Sequence, residues 1–304
     1  MNAASRDESE LTRADGPLTL RVVNEMTDSI IPLKIPEGPF RGRKVHFIGI
    51  GGCGMRGLAA LLVREGATVT GSDRKASPES EYLETIGVRV AIGQRPENVP
   101  ADVDRVVASA AIKEENPELK AARQRGVPVV KYAQLLGEVM ASRYGIAVSG
   151  THGKTTTTAL VSYILFLGGL DPSFVVGGDV PQLGGGSRAG SGKHFVAEAC
   201  EYDHSFLNLR PKIAAILNVE HDHPDCYPNL ESVIEVFASF ASLVPSDGKL
   251  IVNGEDRNLP RVIHGRPANV ETFGIDGANL DWRAVDVRSH RGRCRFELWY
   301  RDRR

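Results

Sequence analysis

The sequence predicts an α/β protein of two successive units: a Rossmann-like parallel-sheet unit over residues 43–143, then a P-loop α/β unit over 144–304. Three observations predict this. Short apolar runs alternate with helical runs, as in chains of strand–helix–strand units with helices on both faces of a parallel sheet. A glycine-rich turn stands twice between an apolar run and a helical run, as "GIGGCGM" from Gly49 and as "GTHGKT" from Gly150. The chain of 304 residues is 41% hydrophobic, enough to bury about two cores.

Taken in order, residues 1–42 read as a polar N-terminal extension closed by the turn formers of "PEGPFRGRK". Its mixture of acids and bases has no apolar centre, which excludes a secretory signal. "KVHFIGI" is a strand, "MRGLAALLVREG" a helix that stops at Gly66, and "ATVTGSD" a second strand ending at Asp73. "VRVAIG" and "DRVVASA" follow as strands, then a helix opened by "NPELKAARQRG" and the strand "VPVVKY". In the second unit "YGIAVSG" is a strand and "KTTTTALVSYILFLG" its helix. The glycine-dense stretch 175–194 has no periodicity and reads as loop. "HFVAEAC" and "IAAILNV" are strands, "LESVIEVFASFASLV" a helix and "KLIVNG" a strand. The last residues alternate around "SHRG" as a β-hairpin.

A charged fraction of 25% with net charge −1 offers no argument for a nucleic acid or an anionic membrane as partner. No apolar stretch approaches the ~18 residues of a membrane span. The four cysteines are scattered without a CxxC pair, which suits reduced thiols and a cytoplasmic setting.

Gly49, Gly51 and Gly54 make GxGxxG between strand and helix. Without Cβ atoms the backbone turns tightly, and a diphosphate can approach free N–H groups at the helix start. Asp73 ends the next strand, where an acid meets a ribose hydroxyl. The spacing leaves NAD and a UDP-sugar equally open. The bland alternative is a turn needed only for packing.

The second loop, Gly150, Thr151, His152, Gly153, Lys154, Thr155 and Thr156, is a shortened relative of GxxxxGK[ST]. Its N–H groups suit the β- and γ-phosphates of ATP, Lys154 adds a point charge, and Thr155 offers a hydroxyl to Mg²⁺.

"EACEYDHSF" sets Glu198, Glu201 and Asp203 after a strand, at the sheet edge where ligands bind. Glu198 can take magnesium directly; Glu201 and Asp203 either support it or form a solvated acidic loop. "NVEHDHPDCY" brings His221, Asp222, His223 and Asp225. A zinc site from His-x-His and Cys226 lacks a second cysteine–histidine pair, and a histidine beside phosphate-bound magnesium fits the upstream loop better. His46, His194, His264 and His290 read as structural or exposed. Arg188 clamps a sugar phosphate or is simply solvated.

"HFIGIGGCGM", "GTHGKTTTT", "EACEYDHSFLNLRP" and "NVEHDHPDCYPN" occur in an order that resembles the Mur ligases across roughly residues 44–304. The resemblance implies that the first loop, through Gly49, Gly51, Gly52, Gly54, Asp73, Ser109 and Arg188, holds the UDP-sugar UDP-N-acetylmuramate. It implies that the second loop holds ATP, with Lys154 as the ATP lysine, Thr155, Glu198 and His223 as magnesium ligands, and Lys154, Glu198 and His223 as the catalytic set. Asn218 heads the Asn-x-x-x-Asp-His motif. The motifs lie nearest the member of the family that joins L-alanine to the lactyl carboxylate through an acyl phosphate, a step of peptidoglycan precursor synthesis. A monomer or homodimer is expected.

Cys200 stands where the family usually has aspartate, and Pro224 where leucine is common. "EYD" also resembles the member that recycles whole peptides onto the same sugar, whereas "GIGGCGM" and "SFLNLRP" pull back toward the alanine enzyme. The family carries a third, C-terminal α/β domain. The chain is therefore expected to be a fragment with little or no turnover of its own. Two other readings stand beside this one. An NAD-dependent oxidoreductase leaves "GTHGKT", Glu198 and His223 unexplained, and a non-catalytic UDP-sugar-binding module remains open.

Overall fold

The computed structural model describes residues 39–265, 269–301 and 303, all within one compact unit, Ile35–Arg304. The reading of the N-terminal extension falls, up to residue 38, outside the described residues. Its last residues form a turn in which Phe40 is buried and the Gly42 N–H donates to the Gly66 carbonyl at 2.9 Å.

The first sheet is built from β1 (Lys44–Ile48), β2 (Thr68–Asp73), β3 (Arg89–Ile92), β4 (Arg105–Ala108) and β5 (Val129–Lys131). All pairings are parallel and the order is β3-β2-β1-β4-β5, which confirms the Rossmann-like expectation. The chain moves outward from β1 to β3, then returns to β4 on the other side of β1. The crevice at this reversal is where ligands of open α/β sheets bind, and the first glycine loop leaves β1 there. Helices α1 (Cys53–Arg64), α2 (Pro78–Thr85), α3 (Pro117–Gln124) and α4 (Tyr132–Ala141) accompany the sheet. Helices α2 and α4 are additions to the elements expected from the sequence. In α4 the signal is present: Leu135, Leu136, Val139 and Met140 are buried at helical spacing.

The second sheet contains β6 (Tyr144–Ser149), β7 (Ser173–Val175), β8 (Ser187–Arg188), β9 (His194–Glu198), β10 (Ile213–Ile216), β11 (Lys249–Asn253), β12 (Asn269–Gly274), β13 (Trp282–His290) and β14 (Arg293–Tyr300). Its order is β14-β13-β12-β11-β10-β6-β9-β7-β8, parallel except for the β7–β8 and β13–β14 pairs. The terminal hairpin is as expected, with its turn at Arg291 and Gly292, both at positive φ. The glycine-dense stretch is mostly loop, yet it contributes β8. Helices α5 (Lys154–Leu167), α6 (Leu230–Ala241) and α7 (Leu259–Ile263) complete the unit.

Strands β9, β6 and β10 are neighbours, so the three segments that follow them meet at one sheet edge. Those segments carry the acids, the second glycine loop and the Asn218–His223 motif. Beneath the acidic segment, Phe206 stacks on Phe240 at 4.6 Å and meets Phe237 edge-on at 5.4 Å. Contacts of this kind are each worth about 0.5–1.5 kcal/mol beyond area burial. Arg143, just before β6, ties the two sheets together. Its guanidinium lies 2.8 Å from Glu65 Oε1 at the end of α1, and also donates to Ser173 and the Gly192 carbonyl. Among the described residues no helix is long and apolar enough to cross a membrane.

Candidate functional site

The first loop turns at Gly49, whose φ is +79° and which therefore favours glycine. A Cβ on Gly51 would lie 2.9 Å from Asp73 Oδ2, and one on Gly54 would lie 2.5 Å from the Tyr132 hydroxyl. The backbone is thus pressed against its neighbours where the spacing predicted it. Helix α1 then starts with no side-chain cap and no acid in its first turn, whereas Ser77, Asn116 and Asn229 cap α2, α3 and α6. An uncapped N-terminus leaves donors for an anion.

Asp73 stands at this loop, but both its oxygens are engaged. Oδ2 accepts the Gly51 N–H at 2.9 Å and Oδ1 the Arg74 N–H at 2.7 Å. The carboxylate fixes the loop's conformation, a role the sequence reading missed. Ser109 follows β4 and faces Gly49, with its Cβ 3.3 Å from where a Gly49 Cβ would stand. Arg188 is drawn away toward Asp171 Oδ1 at 2.6 Å, its guanidinium over the Phe166 ring at 4.8 Å.

Behind the first loop lies a buried polar network that the sequence did not reveal. Glu118 accepts from Ser72 Oγ at 2.6 Å, from Asn98 Nδ2 at 2.7 Å and from the Arg95 N–H at 3.0 Å, and lies 3.1 Å from His46 Nε2. His46 Nδ1 meets Thr70 Oγ1 at 2.8 Å. Burial pushes the Glu118 carboxyl up, but the bonds from His46, Ser72 and Asn98 outweigh it and hold the group below the usual carboxylate range. His46 is therefore structural, as expected.

The second loop follows β6. Gly150 and Gly153 have φ of +144° and +83°, and α5 begins without a side-chain cap or a first-turn acid. Asn218 braces the loop from both sides: its Oδ1 accepts the His152 N–H at 2.7 Å and its Nδ2 donates to the His152 carbonyl at 3.0 Å. Thr151 is buried and receives the Glu220 N–H at 2.9 Å. Thr156 is exposed in the first turn of α5.

Lys154 Nζ donates to the Gly150 carbonyl at 2.7 Å, the Thr151 carbonyl at 3.1 Å and Glu201 Oε1 at 3.0 Å. Thr155 Oγ1 donates to Glu198 Oε1 at 3.1 Å, and Glu198 Oε2 accepts the Gly177 N–H at 2.7 Å. The loop's lysine and threonine are thus each matched to one glutamate of the acidic segment. Asp203 is exposed and lies 3.6 Å from Lys131 of the first unit.

His223 stands with Glu201 and Asp222; one ligand atom of each lies within 4.8 Å of the others. Thr155 and Glu198, which bond each other, are not members of this trio. The His223 N–H donates to Asp222 Oδ1 and holds that carboxyl below its ordinary range. Tyr202 meets the His223 ring edge-on at 5.1 Å and donates its hydroxyl to Asp225 at 2.9 Å. Tyr227 donates to the Glu201 carbonyl, and burial pushes its phenol up. Asp203, His204 and His223 all have positive φ, a conformation that non-glycine residues adopt rarely. The oxygen-rich donors of Thr155, Glu198, Glu201 and Asp222 suit a hard cation such as magnesium. A cation taking Thr155 Oγ1 and Glu198 Oε1 would replace an existing hydrogen bond rather than enter a closed core. His221 Nε2 is engaged by the Tyr227 carbonyl at 2.9 Å, which disfavours the His-x-His zinc arrangement.

Comparison with known proteins follows the same division. The family profile "Mur ligase family, catalytic domain" matches residues 44–144, and "Mur ligase middle domain" matches 148–304. The UDP-N-acetylmuramate–L-alanine ligase of Caldanaerobacter subterraneus is 45% identical over 261 residues, covering 85% of this chain and 56% of that protein. The ligase of the same name from Acetivibrio thermocellus is 43% identical over 250 residues, covering 82% and 53%. The chain therefore spans about half the length of these relatives.

Among solved structures, a UDP-N-acetylmuramate:L-alanyl-γ-D-glutamyl-meso-diaminopimelate ligase from Neisseria meningitides aligns with TM-score 0.77 at 30% identity. The match covers 86% of this chain and 85% of that one. A UDP-N-acetylmuramate–alanine ligase from Thermotoga maritima aligns with TM-score 0.72 at 26% identity, covering 86% and 59%. With both profiles in register with the two glycine loops and their sheets, the chain belongs to the Mur ligase family.

Proposed function

We propose that this chain is the nucleotide-binding part of an ATP-dependent ligase that joins L-alanine to the lactyl carboxylate of UDP-N-acetylmuramate. Residues 43–143 form the UDP-sugar-binding domain and residues 144–304 the ATP-binding domain. The observation that carries the reading is the second loop's geometry: Lys154 on Glu201, Thr155 on Glu198, and an uncapped α5 between them. That arrangement serves phosphoryl transfer, which needs positioning and positive charge more than covalent chemistry. The names of the relatives supply the substrates.

In the proposed reaction the γ-phosphoryl passes to a carboxylate oxygen, leaving ADP. The alanine nitrogen then forms the C–N bond as the C–O bond to phosphate breaks. Lys154, released from its carbonyls, reaches the phosphates, while Asn218 keeps the loop open. Thr155, Glu198 and the trio with His223 would hold magnesium, which when bound neutralises phosphate charge. The free thiols of Cys200, Cys226 and Cys294 agree with a cytoplasmic setting.

A second reading, ligation of a preformed peptide to the same sugar, is favoured by the alignment with the Neisseria enzyme. Phosphate release from ATP with UDP-N-acetylmuramate tests both. Release stimulated by L-alanine supports the first reading. Release stimulated only by L-alanyl-γ-D-glutamyl-meso-diaminopimelate supports the second. If the 304 residues alone give no turnover, binding of the UDP-sugar beside ATP is the readout.

A further inference from the structure

Between α1 and the glycine-dense segment lies a cavity of about 620 Å³. Of the residues that the resemblance assigns to the UDP-sugar it shares only Arg188; none of Gly49, Gly51, Gly52, Gly54, Asp73 or Ser109 lines it. One wall is a face of α1 carrying Arg56, Ala60, Val63 and Arg64. The two arginines are eight positions apart, about 12 Å along the helix axis. Across the cavity stand Leu183 and Arg188, and Tyr82 of α2 lies at the rim, half exposed.

Arg188 is neutralised by Asp171. Arg56 and Arg64 are half-buried, and neither guanidinium has a hydrogen-bond or ion-pair partner among the described residues. Glu79 feels Arg56, and Asp171 feels Arg64, only through space. Asp179 is the single carboxylate in the lining. One such arginine is ordinary surface. Two unpaired guanidiniums on one wall, partly withdrawn from water, are an arrangement that a counter-charge completes. Arg56 also stands in the first turn of α1, where the helix dipole already favours an anion over a cation.

We propose that this cavity binds a small organic phosphate. Guanidinium forks match phosphate oxygens in pairs. Ala60, Val63 and Leu183, with Tyr82 beside them, give the ligand's apolar body a surface. The volume lies within the range of about 300–1,000 Å³ usual for small-molecule sites.

The test is calorimetric titration of the 304-residue chain with phenyl phosphate at low ionic strength, alongside inorganic phosphate, with and without saturating UDP. One saturable site is expected, tighter for phenyl phosphate than for inorganic phosphate and indifferent to UDP. Arg56→Ala and Arg64→Ala should each weaken it roughly tenfold, with partial retention in Arg64→Lys. Both arginines are half-exposed, and unchanged melting curves would show that the variants fold. Displacement by UDP would make the cavity part of the first loop's site and overturn the proposal. So would absent binding, equal affinity for the two phosphates, or binding unchanged in both alanine variants. If UDP itself fails to bind, the phenyl phosphate titrations still decide the matter.

Discussion

Lys154 and Glu201 form a buried ion pair: Nζ lies 3.0 Å from Oε2, and the two side chains are 13% and 3% exposed. The lysine expected to meet phosphate is thus held in reserve by the acidic segment across the sheet edge. Lys154→Met would strand the Glu201 charge in a dry setting, at a cost of about 3 kcal/mol. Pairing it with Glu201→Gln should recover most of that loss. Chemical denaturation of the two single variants and the double variant measures the coupling. Additive losses would show that the pair is incidental.

Glu198 is predicted to act through metal. In Glu198→Ala, Thr155 Oγ1 and the Gly177 N–H lose their acceptor, and a hard cation loses a carboxylate. The gain in ATP affinity on adding Mg²⁺ should fall by roughly tenfold or more, while metal-free nucleotide binding changes little. An unchanged magnesium dependence would remove Glu198 from the metal's ligands.

The first loop yields a steric prediction. Gly54→Ala places a methyl 2.5 Å from the Tyr132 hydroxyl and should destabilise the chain by about 1–3 kcal/mol. Gly54 is not at positive φ, so the obstacle is the ring alone. Thermal melts should therefore show Tyr132→Leu rescuing Gly54→Ala. Failure of the rescue would point to the backbone instead.

Tyr202 positions His223. Removing the ring in Tyr202→Ala should lower Mn²⁺ affinity roughly tenfold and broaden the His223 imidazole signals in NMR spectra. Tyr202→Phe keeps the edge-on contact and should stay near wild type. Equal effects from both variants would shift the role to the Asp225 hydrogen bond.

Glu118 sets a pH dependence. Its folded-state carboxyl lies below the ordinary value, so the unfolded chain binds the proton more tightly. The stability it contributes is complete above about pH 4.3, the ordinary glutamate value, and is lost as pH falls through the lower folded one. Glu118→Gln should be less stable at neutral pH and show a shallower acid loss. Parallel acid titrations of the two proteins would contradict this.

The glycine loops were legible because their φ values and close contacts demand glycine, and no other residue type satisfies that demand cheaply. Strands β1, β6, β9 and β10 were legible as short apolar runs. Partnerships across the sheet edge were not. Nothing in the spacing of "EACEYD" says that Glu201 reaches Lys154 while Glu198 reaches Thr155, because the strand order β10-β6-β9 decides it. Likewise nothing in the spacing marks Glu118, at the start of α3, and only folding brings it beside His46. Asp73 was placed at the correct loop, but its hydrogen bonds run to backbone, which no side-chain motif encodes.

The most direct test of the account is calorimetric titration of this chain with UDP-N-acetylmuramate in the presence of Mg²⁺ and ATP, with NADH in parallel. One UDP-sugar per chain is expected, abolished by Gly51→Val but not by Lys154→Met, with no response to NADH. Binding of NADH with no response to the UDP-sugar would contradict it.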